Sequence, residues 1–299
     1  MDPDRCSLVL VTGKGGVGKT TVAAALAGAL EERGRRVLLL ESDPRESAHE
    51  LLAVAPSAGN VVSASDALHL LDLPPRRAAD RVLEQRIALP GVMRRLRERE
   101  LYRHFVEGCP GLGEMSLLEI ARLALAGDGG LPRVDVVVLD APASGHGRAL
   151  LRAPALVAGA VVGGPIAAAA TRLSKRIADP TRTAVVVVTL AEEMAVTESL
   201  ELRAALRADP GVEVGLLAVN GLLPVVENVP RLSRWRRSEP AVELWVQRRA
   251  VQEAQLARLA AEWHGERVEL PVLAERGRGL LRALTAHLSP ALGAVGTGR

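Results

Sequence analysis

The residues whose types and spacing most directly specify chemistry are the glycine-rich run Gly13-Lys14-Gly15-Gly16-Val17-Gly18-Lys19-Thr20. Glycines at 13, 15, 16 and 18 let backbone N–H groups converge on an anion, and a helix starting at Thr20 adds the partial positive charge of its amino terminus. In a GxxxxGKT loop, Lys19 is expected to reach the β- and γ-phosphates of a nucleotide and the Thr20 hydroxyl to ligate magnesium, with Thr21 beside them in the nucleotide-binding set. The chain has only three lysines, Lys14, Lys19 and Lys175, and two of them fall in this loop. Elsewhere it uses arginine for positive charge, so the loop selects a compact ammonium where a planar guanidinium would not serve.

Such a loop works only between a strand and a helix, and the surrounding sequence predicts both. Val- and Leu-rich runs at Ser7–Val11, Val37–Leu40, His69–Leu73, Val134–Leu139, Ala184–Thr189 and Val214–Val219 read as strands buried on both faces. Helix-period segments lie between them, at Thr20–Glu32, Pro75–Arg86, Met115–Ala126, Thr197–Ala208 and Val242–Ala261. This alternation predicts an α/β fold with a doubly wound, mostly parallel sheet whose ligands bind beyond the strand carboxyl ends. Residues 78–131 and 153–179 add more helix than a crossover needs and suggest a helical subdomain inserted between strands. The expected organisation is one domain over 1–290, followed by a flexible tail at 291–299.

Composition narrows the function. Aromatics are 2% of the chain, so the core must be aliphatic; 38 basic against 35 acidic residues leave a net charge of +3, which argues against a nucleic-acid surface. Arg231, Arg234, Trp235, Arg236 and Arg237 form the best nucleic-acid candidate and read instead as a solvated loop. Two cysteines, Cys6 and Cys109, make neither a disulfide framework nor a four-thiol metal site. An acidic amino terminus without a signal-like apolar run points to a cytoplasmic protein, with peripheral membrane contact left open. The uncharged stretch Ala153–Thr171, interrupted by Pro154 and Pro165, is expected to be buried helix and loop.

With lysine directly after the first glycine, the KGGVGKT string resembles the deviant Walker A loop of the MinD, ParA, nitrogenase-reductase and ArsA superfamily of P-loop NTPases. The resemblance implies an ATP- and magnesium-dependent ATPase that closes as a homodimer, with Lys14 crossing to the partner's nucleotide. Three further segments resemble the ArsA branch, which includes the arsenite-pump ATPase and the ATPase that targets tail-anchored membrane proteins. Glu41-Ser42-Asp43-Pro44 looks like its switch I, which assigns Asp43, with Lys14 and Lys19, to catalysis. Val136–Asp140 followed by Ala141-Pro142-Ala143-Ser144-Gly145-His146-Gly147 is similar to its magnesium-site strand and switch II. Asp140 would hold a metal-bound water, and Pro142, Gly145 and His146 would signal the nucleotide state. Thr189–Met194 and Val219-Asn220 resemble its adenine region, in which Asn220 and a loop or strand end at Pro271 would contact the base.

Departures from that branch set limits. Two cysteines cannot supply the three thiolates of an arsenite site, and no CxxC pair is available for an intersubunit zinc. The resemblance implies as partners a second copy of the chain together with a protein or membrane-associated client, whose identity these departures leave open. A MinD- or ParA-type positional switch is the alternative, and Leu280, Leu281, Leu284 and Leu288 form the apolar stripe it would need. A final helix packed on the sheet accounts for that stripe more simply.

Overall fold

The structure, a computed structural model, describes residues 6–43, 47–86, 111–141, 146–225 and 240–292. Its centre is an eight-stranded sheet in the order β3-β4-β2-β5-β1-β6-β7-β8. The strands are β1 (Leu8–Gly13), β2 (Val37–Glu41), β3 (Val62–Ser63), β4 (Leu68–Asp72), β5 (Val136–Asp140), β6 (Thr183–Leu190), β7 (Val214–Leu222) and β8 (Arg267–Pro271). Every pairing is parallel except the short β3–β4 ribbon. The α/β, mostly parallel architecture expected from the alternating pattern is therefore present.

The helices are α1 (Lys19–Glu32), α2 (Ala48–Leu52), α3 (Pro75–Arg86), α4 (Leu112–Ala126), α5 (His146–Ala160), α6 (Gly164–Ile177), α7 (Glu193–Ala208), α8 (Pro240–Glu262) and α9 (Gly277–Leu288). Because successive strand side chains alternate, the sheet generates two cores. Leu8, Leu10, Leu38, Leu40, Val137 and Leu139 face a cluster completed by α4, α5 and α6, with α8 contributing Leu259. Val9, Val11, Leu39, Val136 and Val138 face a second cluster with α1 and α9. Residues from both faces of β1, β2 and β5 are buried, which is why these strands read as continuous apolar runs.

The six expected strands are all found. β8, at Leu270-Pro271, is the strand end that competed with a loop in the sequence; its burial alternates because it lies at the sheet edge. The leucine stripe of α9 is buried, with Leu281, Leu284 and Leu288 in the second core, so it offers no free amphipathic face. The expectation of burial for Ala153–Thr171 needs correction. Ala153, Val157, Ala169 and Ala170 are buried, but Leu156 is 45% exposed and Val162 is fully exposed where α5 turns into α6. Small residues let α5 and α6 pack closely, and that packing uses one side of each helix only. No described helix is long and apolar enough to cross a membrane. Cys109, the Arg231–Arg237 cluster and the tail from 293 lie outside the described residues.

Candidate functional site

The site begins where β1 ends. Thr12 and Gly13 continue the strand, residues 14–18 turn, and α1 starts at Lys19 from a left-handed Gly18 (φ 86°). Gly13 is also required sterically, because a side chain there would strike the Val188 carbonyl of β6. At Gly18 it would strike the Asn220 carboxamide. Gly16 has a positive φ as well, while Gly15 and Gly16 are exposed and Val17 is buried beneath them.

The loop's charged groups diverge. Lys19, buried at the start of α1, donates its Nζ to the Lys14 carbonyl at 3.0 Å. Burial pushes the Lys19 ammonium below the usual lysine range, opposed by attraction to Asp140 and Asp43. Lys14 sends its own ammonium away, to Glu198 Oε1 on α7 at 2.8 Å, and both side chains of that pair are partly exposed. A cavity of ≈ 350 Å³ lies between the loop and α7, lined by Thr12, Gly13, Lys14, Glu198 and Leu202 among others.

Three strands end side by side on acids. Register places Asp72 of β4 next to Glu41 of β2, and Glu41 next to Asp140 of β5. Asp140 in turn pairs with Val11, just before the loop. Thr20 donates its hydroxyl to Asp140 Oδ2 at 2.5 Å, whereas Asp140 Oδ1 is buried with no hydrogen-bond partner among the described residues. Burial pushes the Asp140 carboxyl up to about 7; the Thr20 bond opposes this shift and the Glu41 charge reinforces it. An unmatched buried oxygen beside a hydroxyl suits a hydrated divalent cation, so the residues fit magnesium. Among the described residues no cluster of three or more His, Cys, Asp or Glu side chains could hold a metal alone, so such a cation would rely on substrate oxygens and water.

Asp43 stands just beyond β2, half-buried, and acts electrostatically on both Lys19 and Asp140. Lys19, Thr20, Asp43 and Asp140 are thus brought together. Pro142 and Gly145 lie outside the described residues, as does the side chain of His146, which opens α5. The following residue, Gly147, packs so closely on Thr12 that a side chain there would overlap it.

Asn220 and Pro271, the residues expected to contact the base, lie near the carboxyl ends of β7 and β8. Asn220 Nδ2 donates to the Val17 carbonyl at 2.9 Å, tying β7 to the phosphate loop. Beside it a cavity of ≈ 500 Å³ is lined by Leu190, Glu192, Gly221, Leu244, Gln252 and Val272 among others. Neither Asn220 nor Pro271 is in that lining; their neighbours Gly221 and Val272 are. The sequence reading did not connect α8 with the end of β7. Gln252 accepts the Leu223 N–H at 2.9 Å and donates to the Gly221 carbonyl at 3.0 Å, and Arg249 donates to the Leu223 carbonyl at 2.7 Å. The amphipathic period of α8 was legible, but no spacing rule links it to a strand end some 30 residues earlier.

The model of the anion-transporting ATPase family matches residues 6–162 and 166–275. ATPase BagA of Mycobacterium tuberculosis is 32% identical over 232 residues, covering 74% of this chain and 68% of that protein. The arsenical pump-driving ATPase of Acidiphilium multivorum is 28% identical over 253 residues, covering 77% of this chain and 42% of the pump protein. An arsenical pump-driving ATPase of Escherichia coli is 28% identical over 258 residues, with 79% of this chain and 43% of that protein covered. This chain therefore spans less than half the length of these two pump ATPases. With the glycine loop, Lys19, Thr20 and Asp140 assembled on a parallel sheet, and the family model matched across both halves of that sheet, the chain belongs to the ArsA-type family of anion-transporting ATPases.

Proposed function

We propose that this ATPase hydrolyses ATP with magnesium as a nucleotide-closed homodimer and uses the closure to act on a protein or membrane-associated client. The observation that carries the chemistry is the Thr20–Asp140 pair at 2.5 Å, with the second Asp140 oxygen unmatched beside buried Lys19. Lys19 and the loop N–H groups neutralise the β- and γ-phosphates, and their preorganisation favours the charge that develops in the transition state. Thr20 and a water on Asp140 would hold magnesium, which when bound spreads phosphate charge and fixes the leaving oxygens. Asp43 orients the attacking water and accepts its proton. The cavity beside Gly221 and Val272, lined by Leu190, Leu244 and Val251 together with Glu192, Arg248 and Gln252, takes the base, with Asn220 fixing the distance between base and phosphate cradle.

The dimer reading is supported by the divergence of the two loop lysines. The carbonyl of Lys14 faces Lys19 while its ammonium leads out of its own cradle to Glu198 of α7, leaving the phosphates of its own site to Lys19. Arsenite is not the expected ligand: Cys6 is buried and donates its thiol to the Leu8 carbonyl at 3.0 Å, and burial raises its pKa. A MinD- or ParA-type switch loses its main sequence feature, since the α9 stripe is already covered.

The test mixes inactive Lys14→Ala with inactive Asp43→Asn subunits. One composite site then regains both groups, and partial turnover is expected to return. Loss of Lys14 alone should reduce turnover by roughly 10³-fold, as for a trans-acting arginine finger. A fully active monomeric Lys14→Ala, sized by light scattering with a non-hydrolysable ATP analogue, would remove the dimer mechanism.

A further inference from the structure

We propose that Glu41 is a positioning residue for the attacking water, acting through the segment that bears Asp43. The proposal rests on the role given to Asp43 above. Glu41 closes β2 with its backbone fixed: its carbonyl accepts the Leu73 N–H at 2.9 Å, and it is flanked in register by Asp72 and Asp140. Its side chain is not directed to solvent, since the residue is only 1% exposed. The carboxylate turns along the chain and spans to the start of α2. Oε1 accepts the Ser47 N–H at 2.9 Å and the Ser47 hydroxyl at 3.0 Å, while Oε2 accepts the Ala48 N–H at 3.1 Å.

On the near side of Asp43, Ser42 is held by the Asp140 carbonyl, at 2.7 Å from its hydroxyl and 3.3 Å from its N–H. Asp43 thus directly follows one anchor, on the backbone of Asp140, and in sequence precedes a second, where Ser47 and Ala48 bind the side chain of Glu41; residues 44–46 lie outside the described residues. The second anchor is chemically costly. Ser47 is itself a good helix cap, yet its hydroxyl makes no cap bond to α2 and serves Glu41 instead. A buried carboxylate beside a site for anionic phosphates opposes substrate binding, so a merely structural closure would favour a neutral group. What the carboxylate adds is geometric: it is acceptor-only, with capacity for several donors, and it fixes both strand end and helix start at once.

The test compares Glu41→Ala, Glu41→Gln and Ser47→Ala with Asp43→Asn in the whole chain. It reads kcat, KM for ATP and hydrogen exchange at the Ser47 and Ala48 amides. Glu41→Ala should lower kcat by about 10- to 100-fold with KM moving less than about threefold, the signature of a misplaced reacting group. The two amides should exchange faster. Glu41→Gln, which keeps an acceptor for Ser47, should recover part of the loss. Ser47 is exposed, and its alanine variant removes only one of the three bonds, so Ser47→Ala should lower kcat about two- to fivefold. If Glu41→Ala does not fold, Glu41→Gln and Ser47→Ala decide by the same criterion. Wild-type kcat in the Glu41 and Ser47 variants with inactive Asp43→Asn overturns the positioning role and leaves Asp43 standing. Full turnover by Asp43→Asn overturns the role of Asp43 and the proposal that depends on it.

Discussion

The two edges of the sheet are built to opposite specifications. At the amino edge, where β2 and β5 begin, Asp135 accepts the Arg36 backbone N–H at 2.9 Å, Nε at 3.2 Å and an Nη at 2.7 Å, with the Arg36 side chain as the main cause holding its carboxyl down to about 2. Arg35 adds bonds to the Cys6 and Asp135 carbonyls at 3.4 and 3.3 Å. Around Asp135 donors and acceptors match, although the Arg176 Nε at the same edge is buried without a partner among the described residues. At the carboxyl edge the strands end on Asp72, Glu41 and Asp140, one Asp140 oxygen has no partner among the described residues, and burial holds the Lys19 ammonium below the usual lysine range. Charges that a stability-optimised edge would neutralise are held ready for a ligand, at the cost of resting stability.

Substitutions can break this contrast from either side. Lys19→Ala removes the main phosphate countercharge and should lower turnover by about 10³-fold, measured as phosphate release. Near-normal turnover would separate the glycine loop from catalysis. Asp140→Asn keeps an acceptor for Thr20 while removing a poorly solvated charge. Turnover should fall by about 10²-fold while the magnesium-free protein gains about 1–2 kcal/mol in thermal or urea unfolding. A destabilised Asp140→Asn protein would mean that this edge is optimised after all.

Asp135→Asn probes the other edge, and because Asp135 and Arg36 are partly exposed the loss should be only about 0.5 kcal/mol after screening, with turnover unchanged. The sign with pH is fixed by the depressed carboxyl. Its contribution is present above the ordinary value of 3.8 and is lost as pH falls toward about 2, so wild type and variant should converge in acid. The smallest effect is expected at Glu198→Ala, which frees a half-exposed Lys14: a stability change within about 0.5 kcal/mol and a rise in turnover of no more than about twofold.

How much of this was legible in the sequence follows from the range of each signal. The central strands were readable because burial on both faces writes a continuous Val/Leu run, as in Val136–Leu139, and the glycine loop because its chemistry is local. The edge strands β3 and β8 were not clear: β3 pairs over two residues, and β8 is half-exposed and ends in proline. Lys19, Thr20, Asp43 and Asp140 were all named from motif and resemblance. The Lys14–Glu198 pair was not, because 184 residues separate its members, whereas Thr20 and Asp140, 120 residues apart, were joined only through the magnesium that the resemblance implies. Asn220 shows the limit most clearly. A residue type suited to reading a base was recognised, but its bond to Val17 depends on the β6–β7 register, which no local pattern encodes.

The contact between Gly18 and Asn220 also constrains how this protein can diverge. Because a side chain at 18 would occupy the space of the Asn220 carboxamide, the two positions share one volume although 202 residues separate them. Neither can be altered independently of the other. Replacing Asn220 by a smaller residue first relieves the clash at 18 but loses the tie to Val17, and enlarging Gly18 first is blocked both by that clash and by its left-handed backbone. Drift at this pair is thus strongly epistatic, with every single-step route passing through an impaired intermediate. Descendants of this sequence are expected to inherit these two residues as a unit.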